Sequence, residues 1–199
     1  MKIHFIIITL LALINLGFST ILIQQNFSSS TFPPPGWSRE TSGTGGSWIW
    51  TDSGQPGNGY SLGTVSLSEP SQWGSATLIT NNFYAEAGQE LNIQFLRKNG
   101  WRGAEPSDYG WEETIMIGTT TIYSHIFEPS PEYPRWYLTT YVILQLPTTS
   151  SEYNVAFKVW GTYESGSCNL FFAMDELLIT TGNLSVEPAT LGNIKANFH

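Results

Sequence analysis

The chain has 199 residues, with 8 Lys and Arg against 16 Asp and Glu, and a formal net charge of −8 at pH 7. Nucleic acids and anionic membrane surfaces attract basic patches, so neither is expected as a partner of such an acidic chain. Only 12% of the residues are charged while 14% are aromatic. The aromatic residues are therefore the first place to look for both core and ligand contacts.

Residues 1–19 have the pattern of a secretory signal peptide. Lys2 precedes a run of apolar residues, and Gly17 and Ser19 are small residues at the −3 and −1 positions of a cleavage site. The run is shorter than the roughly 20 residues of a membrane-spanning helix. Cleavage after Ser19 is predicted, with no membrane insertion of the mature protein. Its expected location is extracellular or on a cell surface. There Cys168, the single cysteine, cannot form an intramolecular disulfide and is expected to be a buried, inert thiol.

Short strand-like segments recur between residues 21 and 181. In 90–97 and 153–161 apolar residues alternate with polar ones, and clusters of Gly, Pro, Asn and Ser separate the segments. No part of this region has a sustained 3.6-residue apolar period, so an all-β sandwich is predicted for 20–181, followed by a linker and short C-terminal tail at 182–199. The predicted strands are 21–27, 48–50, 61–66, 75–80, 90–97, 112–118, 121–127, 138–146, 153–161 and 169–180.

The segment 169–180 is the longest apolar run after the N-terminus and is predicted to be a central strand. A period of two places Asp175 on the same side as Phe171 and Leu177, where a carboxylate is costly unless it is satisfied. Two alternatives remain open. Asp175 either accepts hydrogen bonds from protein donors, or it binds calcium together with Glu176, Asn26 and carbonyls of the first strand.

The segment 99–111 is unusually aromatic and is predicted to be a loop between two strands. Exposed aromatic rings combined with amides and charges suit glycan binding. The alternative is that these rings cover one end of the sandwich. The candidate ligand-binding residues are Asn99, Trp101, Arg102, Tyr109 and Trp111.

Catalysis is not expected. After signal removal, His125 is the one histidine that does not end the chain, and no paired His or Cys ligands stand at metal spacing. Glu112 and Glu113 are adjacent on a predicted strand, so their side chains point to opposite faces, which disfavours joint action on one substrate. The protein is predicted not to be an enzyme, with a carbohydrate-active enzyme as a remote alternative.

Several landmarks occur in a recognisable order along 21–181. They are Phe32-Pro-Pro-Pro-Gly-Trp37, the alternating strand Leu91–Phe95, Trp136 before a strand, and the closing segment Ala173–Ile179. This order resembles the cleaved-adhesin or choice-of-anchor J domain of secreted bacterial proteins, which is related to the MAM jelly roll. The resemblance implies a jelly-roll sandwich that acts as a non-catalytic binding or adhesion module for an extracellular protein or glycan. It also implies packing roles for Trp37 and Trp136. A structural accessory domain without its own ligand is the alternative.

Some relatives of that family hold calcium near the first strand and a terminal acidic pair. Only Asp175 and Glu176 match this pair here. The family usually has a Glu beside the Phe of the first strand, whereas Asn26 and Ser28 flank Phe27 in this chain. The resemblance therefore implies a calcium site that has lost part of its charge.

Overall fold

The protein was analysed as a computed structural model, which describes residues 20–52, 59–69, 71–103, 108–127, 137–143, 150–164 and 167–182. These residues form twelve β-strands and no helix, and accordingly nothing among them has the helical length and apolar character needed to cross a bilayer. The strands are β1 (Thr20–Gln25), β2 (Ser38–Gly43), β3 (Gly46–Thr51), β4 (Tyr60–Leu67), β5 (Trp73–Ile79), β6 (Phe83–Ala85), β7 (Leu91–Gly103), β8 (Asp108–Ile117), β9 (Thr120–Phe127), β10 (Tyr137–Ile143), β11 (Ser151–Thr162) and β12 (Cys168–Thr181).

The strands form two antiparallel sheets. Sheet A has the order β10-β7-β12-β4-β3, and β1 also pairs with β12. Sheet B has the order β2-β5-β11-β8-β9, and β6 also pairs with β11. The sheets pack face to face as a jelly-roll sandwich, which confirms the predicted fold class.

The prediction of a central strand at 169–180 is confirmed. Strand β12 pairs with β7 along one side and with β4 and then β1 along the other, so it has no free edge. Its apolar residues are buried on both faces, including Leu170 and Phe172 in the core and Ala173 on the opposite side. A strand covered on both faces reads as a nearly continuous apolar run, which is what the sequence contains.

The prediction that Asp175 lies on a core face together with Leu177 is wrong, although it does lie on the same side as Phe171. Strand β12 carries one extra residue relative to β7, because Asp175 lies opposite Leu96 and Leu178 lies opposite Gln94. Glu176 forms this bulge with a positive φ of 52°. A bulge reverses which side successive residues face. Along β12, even-numbered residues therefore face the core before the bulge, and odd-numbered residues face the core after the bulge. Asp175 comes before the bulge and thus lies on the outer face of sheet A.

The core between the sheets is built from interlocking aromatic rings. Phe95 of sheet A and Phe157 of sheet B meet edge to face, with ring centroids 5.3 Å apart. Trp37 is buried against Phe27 at 5.9 Å, which confirms its predicted packing role. Cys168 is also buried as predicted, and burial raises the pKa of its thiol to about 11. Trp136, for which the resemblance implied a packing role, lies outside the described part of the chain. The predicted signal peptide and C-terminal tail also lie outside it.

Candidate functional site

The predicted aromatic loop at 99–111 is for the most part strand. Strand β7 continues to Gly103 and β8 begins at Asp108, so all five candidate residues lie on these two strands. Asn99 is buried, Trp101 and Tyr109 are partly buried against the core, and Arg102 is exposed. The loop prediction is therefore wrong for these positions, because long strands carry the chain to the end of the sandwich.

Trp111 is a core residue. Its ring is 0% exposed, and its Nε1 donates a hydrogen bond of 2.9 Å to the carbonyl oxygen of Phe171. Tyr109 lies between Trp111 and Trp101, with centroid distances of 5.3 Å and 5.1 Å. Trp111 consequently offers no free face to a ligand. The expectation of an exposed platform is wrong for this ring, because alternation along β8 turns Trp111 inward.

The three predicted calcium ligands lie near the bulge of β12. Gln25 lies opposite Leu177, which brings the following residue, Asn26, towards Glu176. Asn26 Oδ1 accepts the Ser28 N–H at 3.2 Å, and Asp175 Oδ1 accepts the Glu176 N–H at 2.8 Å. The described residues contain no group of three or more acidic, His or Cys side chains suited to a metal. Calcium needs six to eight oxygens. These side chains alone do not fit that requirement.

The outer face of sheet B carries two tryptophans that the sequence analysis did not select. Trp73 of β5 is 50% exposed and lies opposite Thr162 of β11, while Trp160 of β11 lies opposite Ser75. The two tryptophans are therefore diagonal neighbours on one face. The Trp160 ring covers Gly110 of β8, where a Cβ atom would stand 2.8 Å from the ring. Strand alternation signals Trp160, because Val155, Phe157 and Val159 face the core.

The opposite end of the same face contains a polar groove of about 560 Å³. We call it the amide groove, because its lining includes the side chains of Asn81, Asn82 and Asn154, together with Glu40 and Met116. Trp160 and Asn154 lie on the same face of β11, six positions apart, which corresponds to about 20 Å at the usual rise of a strand. The pair Trp73 and Trp160 thus lies at one end of an elongated surface, and the amide groove lies at the other end.

A chain of hydrogen bonds orients the amides in this groove. Asn82 Nδ2 donates to Glu152 Oε2 at 3.3 Å, and Asn154 Nδ2 donates to Asn82 Oδ1 at 3.2 Å. Because the carboxylate only accepts, it fixes the orientation of both amides. Asn154 is 8% exposed, and its Oδ1 atom has no hydrogen-bond partner. Asn154, which lines the groove, therefore has a buried acceptor atom without a donor.

Glu113 is a second unexpected feature, on the inner face of sheet B. It is 0% exposed, neither carboxyl oxygen has a hydrogen-bond partner, and burial raises its pKa well above the usual value for Glu. His125 lies directly opposite on β9, and burial and the nearby charge of Arg97 lower the pKa of His125. Glu112 lies on the outer face of sheet B, so the side chains of Glu112 and Glu113 point to opposite faces as predicted.

Comparison with known proteins identifies the fold but not a family. No protein-family model matches the chain, and no curated protein matches it. Among solved structures, a cyclase from Fischerella sp. TAU in complex with 4-(1H-indol-3-yl)butan-2-one is similar at 11% identity, with 85% of this chain and 100% of that chain covered and a TM-score of 0.53. This similarity shows that the fold is shared.

Two further solved structures are similar to the chain at lower TM-scores. The K1 cleaved adhesin domain of Lys-gingipain from Porphyromonas gingivalis W83 is 14% identical, covering 84% of this chain and 100% of that chain at a TM-score of 0.49. TmCBM61 in complex with β-1,4-galactotriose is 15% identical, covering 79% of this chain and 95% of that chain at a TM-score of 0.48. The two-sheet fold itself is shared with the cyclase.

Proposed function

We propose that this protein is a secreted, non-catalytic module that binds a glycan on the outer face of sheet B. The observation that carries this proposal is the exposed Trp73 beside Trp160, at one end of a face that ends in the amide groove. Half of the surface of Trp73 lies open to solvent although the ring belongs to a regular strand, and no packing role explains that exposure.

Aromatic rings and amides are the two groups that a sugar requires. The apolar face of a pyranose stacks on an aromatic ring, while its hydroxyls hydrogen-bond to amides and carboxylates. Trp73 and Trp160 supply the rings, and Asn82 and Asn154 supply the amides.

Glu40 and Glu112, two carboxylates of this face, are poorly placed to act together in glycoside hydrolysis. Glu40 lies on β2 and Glu112 on β8, with Thr77 and Lys158 between them in the same row of the sheet. Three strand spacings separate their backbones by about 14 Å. Glycosidases hold their two carboxyl groups within roughly 5–9.5 Å of each other. Ser124 Oγ also donates to Glu112 Oε1 at 2.5 Å. We therefore prefer binding to catalysis.

A glycan array with and without calcium, followed by calorimetry on the strongest hit, tests the proposal. Trp73→Ala should weaken glycan binding about fivefold or more, because a stacking ring contributes on the order of 1 kcal/mol or more. It should barely change the melting temperature. Ile49→Ala is the control, since Ile49 is an exposed apolar residue on β3 of the other sheet, 42% exposed. It should bind as wild type does.

Two results would contradict glycan binding at this face. If no glycan binds, the alternative of an accessory domain without its own ligand is favoured. If a glycan binds equally well to wild type and to Trp73→Ala, the ligand lies elsewhere on the molecule.

A further inference from the structure

The outer face of sheet A contains a separate groove of about 300 Å³, formed by β4, β12 and β7. Its lining includes Tyr60, Lys98, Arg102, Asn169 and Phe171, and we call it the cationic groove. It lies on the opposite side of the sandwich from Trp73 and the amide groove. It is therefore a different surface from the proposed glycan face.

Strand register determines how these side chains are arranged. Arg102 lies opposite Asn169, and Gly100 lies opposite Phe171, so that the Phe171 ring covers Gly100 with 3.1 Å between the ring and a built Cβ atom. Lys98 and Arg102 are four residues apart on one strand, about 13 Å at the usual rise. The groove thus has a cation towards each end and an aromatic ring between them.

The charges of this groove oppose the charge of the whole protein. The net charge of the chain is −8, yet no acidic residue lines the described part of the groove. Neither the Lys98 nor the Arg102 side chain forms an ion pair or hydrogen bond with another described residue. Two cations in a groove that no acidic residue of the described chain lines create a local positive potential that attracts an anion.

The shape and polar groups of the groove favour a saccharide over a peptide. An extended peptide lying across the face of a sheet would leave its backbone N–H and C=O groups without ladder partners. Sugar hydroxyls both donate and accept, and they suit the amide of Asn169 and the hydroxyls of Thr64 and Ser66, which also line the groove. A sugar ring also suits the partly buried face of Phe171.

We propose that the cationic groove binds an anionic saccharide whose carboxylates pair with Lys98 and Arg102. The protein then has two saccharide surfaces, one for each outer face of the sandwich. This second surface does not depend on the first, because the residues of the two surfaces lie on different sheets.

The test uses the full chain and polygalacturonate as the probe, with its methyl-esterified form as the uncharged match. Binding is followed by calorimetry at low and moderate salt. We expect wild type to bind polygalacturonate and not the ester, with affinity falling as salt increases. Lys98→Gln should weaken binding about tenfold, because a hydrogen bond to a charged group is lost. Arg102→Gln should do the same.

Lys158→Gln is the matched control. It removes one charge from a half-buried strand lysine, as Lys98→Gln does, but on the outer face of sheet B. It should leave polygalacturonate binding unchanged. Failure to bind polygalacturonate, equal binding of the ester, or equal effects of Lys98→Gln and Lys158→Gln would each overturn the proposal. Binding of poly-glutamate in place of polygalacturonate would overturn it in favour of an acidic peptide.

Discussion

The two outer faces of the sandwich each place an aromatic ring over a glycine of the neighbouring strand. In sheet A, Phe171 covers Gly100, and in sheet B, Trp160 covers Gly110. A glycine beneath a ring leaves room for the ring to lie flat on the sheet. On both faces, the ring therefore packs flat against the neighbouring strand, and a ring held in this way can contact a ligand without first being ordered.

The faces differ in what surrounds each ring. Lys98 and Arg102 flank Phe171, whereas the exposed Trp73 and a surface with Glu40 and Glu112 accompany Trp160. Ring stacking accepts any sugar face, while charge selects among sugars. The sheet therefore determines the position of each ring, whereas the side chains on the neighbouring strands determine which saccharide each face suits.

The largest effect is expected from removing the ring beneath the sheet A groove. Trp111 is fully buried and donates to the carbonyl of Phe171, so it supports the strand that forms the groove floor. Trp111→Ala should lower the free energy of unfolding by about 3–5 kcal/mol. Urea denaturation measures this change. Trp73→Ala on the other face should stay within about 0.5 kcal/mol of wild type. Similar losses for both variants would contradict the assigned burial.

Stability should fall as pH rises, because each sheet carries a carboxyl with a raised pKa. Burial raises the pKa of Asp175, on the outer face of sheet A, to about 7, and that of Glu113, inside sheet B, well above its usual value. Both acids are protonated more readily when folded than when unfolded. Their contribution is thus complete below pH of about 4, the unfolded value, and for Asp175 it is lost by about pH 7.

Thermal melts between pH 4 and 8 test this expectation, and variants of the two acids show which sheet contributes more to the pH dependence. The melting temperature should fall with rising pH in wild type. Glu113→Gln should remove more of that fall than Asp175→Asn, because Glu113 is the more deeply buried group. A melting temperature that rises across this range, or the same slope in all three proteins, would contradict the assignment.

Adding a methyl group beneath each ring should show which ligand binds to which face. In Gly110→Ala the new Cβ atom would stand 2.8 Å from the Trp160 ring, and in Gly100→Ala it would stand 3.1 Å from the Phe171 ring. Displacing the Trp160 ring should cost about 1–3 kcal/mol and weaken glycan binding, as overpacking does. Gly100→Ala should cost less and weaken only polygalacturonate binding. Urea denaturation and calorimetry measure both effects, and an exchange of the two ligand effects would contradict the assignments.

The smallest effect is expected from a chelator. Asp175 Oδ1 already accepts the Glu176 N–H, and Asn26 Oδ1 accepts the Ser28 N–H. Excess chelator should therefore leave the melting temperature unchanged. A clear decrease in wild type that is absent from Asp175→Ala would instead support the calcium alternative.

Local patterns were sufficient for the core but not for every strand. Alternation in 153–161 and the apolar run at 169–180 predicted β11 and β12, because a strand that faces a core repeats every two residues. Strand β2 (Ser38–Gly43) was missed. All of its residues are exposed, and it pairs with β5 through its backbone at the edge of sheet B. An edge strand without a buried side leaves no apolar period to read.

The amino-acid sequence alone was enough to predict an all-β sandwich, a central β12 and a buried Trp37. Only the tertiary structure decided which side chains meet outside the core. Trp73 and Trp160 become neighbours through the pairing of β5 with β11, and Lys98 joins Phe171 through the pairing of β7 with β12. One bulge at Glu176 moved Asp175 to the outer face. Strand pairing, register and bulges depend on contacts between distant segments, and no local period records them.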